Sequence, residues 1–98
     1  MSERKVWKYP IVVGHEFTLQ LPVGAQILNV QIQRTHSQFA EPFLWALVDP
    51  NAGTETRRFR LAGTGHPVVG DVVYIATFQI GHPVFVGHVF EIVRDKAG

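Results

Sequence analysis

Apolar and polar residues alternate along this chain with a period of two, and turn-forming residues interrupt the alternation about every 8–12 positions. That pattern predicts short strands rather than helices. Residues 6–9 form a first strand that stops at Pro10. Phe17, Leu19 and Leu21 alternate with Thr18 and Gln20 until Pro22 ends the run. Within 25–34, Leu28, Val30 and Ile32 share one face, while Asn29, Gln31 and Gln33 share the other. Val23-Gly24 between these two runs reads as a tight turn, so a β-hairpin is expected there. After a polar loop at 35–41, residues 43–48 are apolar on both faces, with Phe43, Trp45 and Leu47 opposed to Leu44, Ala46 and Val48. Asp49-Pro50-Asn51-Ala52-Gly53 is a turn by composition. Residues 55–62 set Phe59 and Leu61 against Thr56, Arg58 and Arg60, and a glycine-rich connection fills 63–71. Two long strands, 72–80 and 84–93, close the pattern around Gly81-His82-Pro83. The expected architecture is all-β: a single-domain antiparallel β-sandwich or small, partly open β-barrel of about seven strands. Residues 1–4 and 94–98 are expected to fray.

Size and composition narrow the picture. The 98 residues make one domain, which buries roughly two-thirds of the surface its unfolded chain exposes. There is no cysteine, so disulfides, thiolate metal sites and cysteine nucleophiles are excluded. No apolar run is long enough to cross a bilayer as a helix. Met1-Ser2-Glu3-Arg4-Lys5 lacks the apolar segment of a secretory signal, so cytoplasmic residence is the default expectation. A formal net charge of +1 gives nucleic-acid binding no support, because phosphate neutralisation requires a basic excess.

In a two-layer antiparallel fold each strand normally has one wet face. Residues 43–48 and 84–93 break that rule, which leaves more apolar surface than one small core hides. The surplus marks a contact surface, so a homo-oligomer is expected, with Phe43, Trp45, Phe85 and Val89 as candidate interface residues and a protein partner as a further possibility. The alternative is that these strands are central and covered by loops.

Candidate chemistry is sparse. Gly63, Thr64, Gly65 and His66, followed by Pro67, form a loop whose glycines permit backbone amides to turn inward around an anion. No Lys-Ser/Thr follows, so this is not a nucleotide fingerprint, and a shaped connection into the next strand is the plainer reading. Arg57, Arg58 and Arg60 are the main basic concentration. Arg58 and Arg60 share a face ~7 Å apart and suit bidentate capture of a small anionic, nucleotide-like ligand. Pairing with Glu91, Glu41 or Asp49 on neighbouring strands would serve them equally well. Trp7, Tyr9, Trp45 and Tyr74 offer stacking surfaces for single-stranded nucleic acid, although aromatic residues more often anchor cores. The five histidines, His15, His36, His66, His82 and His88, show no metal-site spacing, so neither metal nor cofactor is expected. His88, between Val86 and Phe90 on its face, reads as a half-buried histidine with a backbone partner. Ser2 and Ser37 lack a nucleophile setting, and no catalytic residue is assigned.

Phe43-Leu44-Trp45-Ala46-Leu47-Val48-Asp49-Pro50, Glu55-Thr56-Arg57-Arg58-Phe59-Arg60-Leu61 and Gly63-Thr64-Gly65-His66-Pro67 form a distinctive block. In it the chain resembles a family of small uncharacterised proteins of bacterial genomes and their phages. The resemblance extends from Trp7-Lys8-Tyr9-Pro10 to His88-Val89-Phe90-Glu91, and departs at 35–41 and at Gly81-His82-Pro83. It implies a phage- or prophage-associated accessory protein and carries no activity with it.

Overall fold

A computed structural model describes residues 3–34, 40–81 and 83–94. The strands are β1 (Lys5–Pro10), β2 (Glu16–Pro22), β3 (Gln26–Arg34), β4 (Ala40–Val48), β5 (Thr54–Gly63), β6 (Asp71–Ile80) and β7 (Phe85–Arg94). They form two antiparallel sheets, ordered β1-β4-β3 and β2-β5-β7-β6, and no helix occurs among the described residues. The sheets do not close into a barrel. β3 and β6 run beside each other with Cα atoms within 8 Å, yet no ladder joins them. The fold is therefore a small sandwich. The fraying expected at 1–2 and 95–98, most of the polar loop at 35–41, and His82 lie outside the described residues.

Alternation decides what is buried. Leu44, Ala46 and Val48 of β4 face the sandwich interior, where Phe59 and Leu61 of β5 meet them from the other sheet. Phe17, Leu21, Val30, Phe78 and Val89 complete this core, and the Phe17 and Phe59 rings stack with centroids 5.0 Å apart.

The expected hairpin between the second and third strands does not form. β2 pairs with β5 and β3 with β4, so residues 23–25 arch from one sheet to the other. The turn itself is present, with the Ala25 amide donating to the Pro22 carbonyl at 3.0 Å. Its other backbone groups are satisfied from outside a hairpin. The Val23 amide donates to Gly53 in the neighbouring β4–β5 connection at 2.7 Å, and Arg57 Nη1 donates to the Ala25 carbonyl. Alternation shows which faces are oily, but it does not say whether two successive strands lie side by side or face to face.

Each sheet edge carries a feature that discourages further pairing. β1 has Lys5, Lys8 and a terminal Pro10, and β2 ends at Pro22. β3 is interrupted by a bulge at Leu28 and β6 by one at Ile75. Lysine, proline and bulges are the usual means of blunting an open edge.

The registers Glu16↔Arg60, Gly63↔Gly87 and Ile80↔Phe85 bring the start of β2, the ends of β5 and β6 and the start of β7 to one end of the larger sheet. β5 and β6 both run antiparallel to β7, which lies between them, so they are parallel to each other. Residues 64–70 must therefore travel back along the sheet as a strap. The strap crosses the outer face, where Arg60 Nη1 donates to the Val69 carbonyl. Ala62, which shares that face with Arg60, is buried.

Candidate functional site

The strap begins with a tight turn. The His66 amide donates to the Gly63 carbonyl at 3.0 Å, and Gly65 has φ +90°, a left-handed conformation that side chains other than glycine resist. The His66 ring lies against Gly63 so closely that a methyl group there would sit 3.2 Å from His66 Nδ1. His66 thereby becomes a wall between two shallow clefts. One, of about 360 Å³, is lined by His15, Glu16, Arg60, Leu61, Ala62, His66, Pro67 and Val69. The other, of about 310 Å³, is lined by Gly63, Thr64, His66, Val84, Phe85 and Val86.

The structure thus brings the glycine loop and one predicted arginine together. Arg60 and His66 share the larger cleft, and Arg58 stands two residues along the same face. Both guanidinium groups are held by Glu16, with Arg58 Nη2 donating to Oε1 at 2.7 Å and Arg60 Nη2 to Oε2 at 3.2 Å. These two bonds hold the Glu16 carboxyl below the usual carboxylate range, Arg58 contributing first. A lowered folded pKa stabilises the fold above the unfolded carboxylate value, and that contribution fades as pH falls through the folded one. The pair is exposed, so the effect on stability is small.

Arg57 does not belong to this group. It lies on the opposite, core-facing side of β5, where Nε and Nη2 donate to both oxygens of Glu91 at 2.6 and 2.7 Å. Hydrogen bonding to Glu91 raises the Arg57 pKa above its ordinary value despite burial. Glu91 was expected as a possible partner of Arg58 and Arg60, but it faces the core and pairs with Arg57 instead. The actual partner of Arg58 and Arg60 was not legible, because Glu16 precedes the β2 alternation and reads as a boundary residue.

Beside the smaller cleft runs a chain of hydrogen bonds. Thr64 Oγ1 lies 2.8 Å from His88 Nε2, His88 Nδ1 lies 2.9 Å from Thr77 Oγ1, and Thr77 Oγ1 lies 2.8 Å from the Tyr74 hydroxyl. His88 is half-buried as expected, but its partners are threonine hydroxyls rather than the backbone. The bulge at Ile75 makes this possible. In a regular strand residues 74 and 77 point to opposite faces, and the extra residue returns both to the outer one. Nothing in an alternating pattern announces such a bulge, so Tyr74 and Thr77 were missed as a pair. The Tyr74 ring also meets Phe90 edge-on at 5.7 Å.

The four candidate interface residues separate. Val89 is 0% exposed and packs in the core, because β7 is central and Val89 sits midway along its inner face, opposite Leu61 and Ala76. Phe43 is only 8% exposed, since the Lys8 ammonium sits 4.7 Å from its ring centroid and reaches Gln33 Oε1 at 2.6 Å. Trp45 remains half-buried and Phe85 exposed, so only these two retain surface for a partner. The aromatic residues do not make one stacking platform. Trp7 and Tyr9 pair with core-facing Ala46 and Leu44, Trp45 points outward from the same sheet, and Tyr74 lies on the other sheet. Among the described residues no group of three His, Asp or Glu side chains could hold a metal ion. No helix among them is long and apolar enough to cross a membrane.

No curated protein and no solved structure matches this chain. Residues 2–97 match a family described as a domain of unknown function, DUF7352. The chain belongs to that family.

Proposed function

We propose that this domain acts by binding, as a homo-oligomer, in the phage or prophage setting that the motif resemblance implies. One observation carries the reading: apolar side chains are left in the open at the cleft-bearing end. Val12 is 76% exposed and Val13 51%, in the 11–15 connection that links the two sheets there. Val84 and Phe85 are exposed at the same end. Monomeric domains rarely leave two adjacent valines this bare without a contact to cover them. The blunted edges argue against strand-to-strand growth, so the contact falls to the Val12–Val13 loop. Light scattering on a sizing column is expected to give a multiple of 11.0 kDa at tens of micromolar. Val12→Lys with Val13→Lys should return the protein to monomer with its circular-dichroism spectrum unchanged. A monomeric native protein at that concentration would refute the reading.

The larger cleft supports a second reading, capture of a small anion by Arg58 and Arg60. Glu16 occupies both guanidinium groups, so an incoming phosphate must displace it. Exposed ion pairs of this kind are worth about 0–1 kcal/mol, which leaves displacement open. Glu16→Gln is therefore expected to enlarge the thermal shift produced by nucleoside diphosphates. No shift in either protein would remove this reading.

A further inference from the structure

The hydrogen-bond chain on the outer face of the larger sheet belongs to neither reading above. We infer that Thr64 and His88 form a nucleophile–base pair that accepts an acyl group from a small activated ester. A weak hydroxyl nucleophile is activated when a base stands within hydrogen-bond reach and a third group orients that base. Thr64 Oγ1 and His88 Nε2 are 2.8 Å apart, and Thr77 Oγ1 holds the far nitrogen at 2.9 Å. One consistent polarity runs Thr64 to His88 to Thr77 to Tyr74. In it the threonine donates to Nε2, and Nδ1–H donates to Thr77, which donates to the tyrosine. That is the tautomer a base requires. Thr77 and Tyr74 are positioning residues, set by the bulge at Ile75.

Thr64 also lines the smaller cleft, whose other walls are His66 and the apolar Val84, Phe85 and Val86. About 310 Å³ suits a short acyl ester, with the apolar wall receiving the acyl chain. In the forward step Thr64 Oγ1 bonds to the ester carbonyl carbon while its proton moves to His88 Nε2. The tetrahedral oxyanion faces the imidazole of His66. Collapse breaks the bond to the leaving alkoxide, which takes the proton back from His88. The product is an acylated Thr64, which water cleaves with His88 again as base. No oxidant or reductant is involved. No carboxylate backs His88 in the chain, so activation stands at the modest end of general-base catalysis, about 10²-fold. Slow, stoichiometric acylation is expected rather than rapid turnover.

The test uses p-nitrophenyl acetate on the intact protein, with peptide mapping by mass spectrometry to locate acetyl groups. Thr64 is expected to be acetylated, with Lys5 and Lys8 reporting background labelling. His88→Gln should slow labelling of Thr64 about 10²-fold and leave the lysines unchanged. Thr64→Ser should keep or raise labelling at residue 64. Thr77→Val should shift its pH profile, and Thr77→Ser should restore it. Acetyl on the lysines but not on Thr64, or a Thr64 rate indifferent to His88, would overturn the assignment. Thr64→Ser and Thr77→Ser preserve the hydroxyls that tie down the strap, so the test does not rest on a variant that fails to fold.

Discussion

Phe59→Ala is expected to destabilise the domain by about 3–5 kcal/mol, the usual cost of removing a fully enclosed phenyl ring. Phe59 is 0% exposed, pairs with Phe17 on one side and Glu91 on the other, and stacks on the Phe17 ring. It sits in β5, whose neighbours on both sides leave little freedom to collapse into the void. A chain of this length has about 5–15 kcal/mol of total stability, so the loss is a large share of it. Roughly 15–30 °C should come off the melting temperature in a calorimetric scan. Phe59→Leu, which keeps most of the volume, should cost much less. A fall of only a few degrees for alanine would mean that the two sheets do not pack as described.

The second large effect is expected at the Arg57–Glu91 pair. Both side chains are largely enclosed, at 17% and 18% exposed, and the bond between them is bidentate. Removing one partner strands the other charge away from water. For fully buried pairs that costs about 3–5 kcal/mol, and the residual solvent here lowers the expectation for Glu91→Ala to about 2–3 kcal/mol. Arg57→Ala should cost at least as much, because Arg57 also donates to the Ala25 carbonyl and so joins the larger sheet to the start of β3. The double variant Arg57→Leu with Glu91→Leu should recover much of the loss, since an apolar pair of similar size has no charge to strand. Chemical denaturation of the native protein, both alanine variants, their alanine double and the leucine double checks this. Additive single costs would show the charges to be independent.

Much of the architecture was legible because strand faces are written in alternation. All seven strands were visible, and so were the two faces of β5 that send Phe59 inward and Arg58 and Arg60 outward. Pairing was less legible. Val23-Gly24 made a convincing turn, yet the chain uses it to change sheets, a choice made by distant groups such as Gly53 and Arg57. Exposed surface was harder again. The apolar outer positions of β4 suggested a bare face, but Lys8 holds its ammonium over Phe43 and Trp45. The barest large apolar side chain among the described residues is instead Val12, in a loop whose short apolar run carries no periodic signal. The Thr64–His88–Thr77–Tyr74 chain was the least legible, since it depends on one strap crossing and one bulge.

The order of strands in the larger sheet also bears on how the chain is assembled during synthesis. β7 is translated after β5 and β6 yet separates them, forming the ladders that bind each of them to the rest of the sheet. Until residues 85–94 have been made, β6 has no ladder neighbour and β5 has only β2. β1, β3 and β4 can complete the smaller sheet early, while the larger sheet waits for its last-made component to slot into the middle.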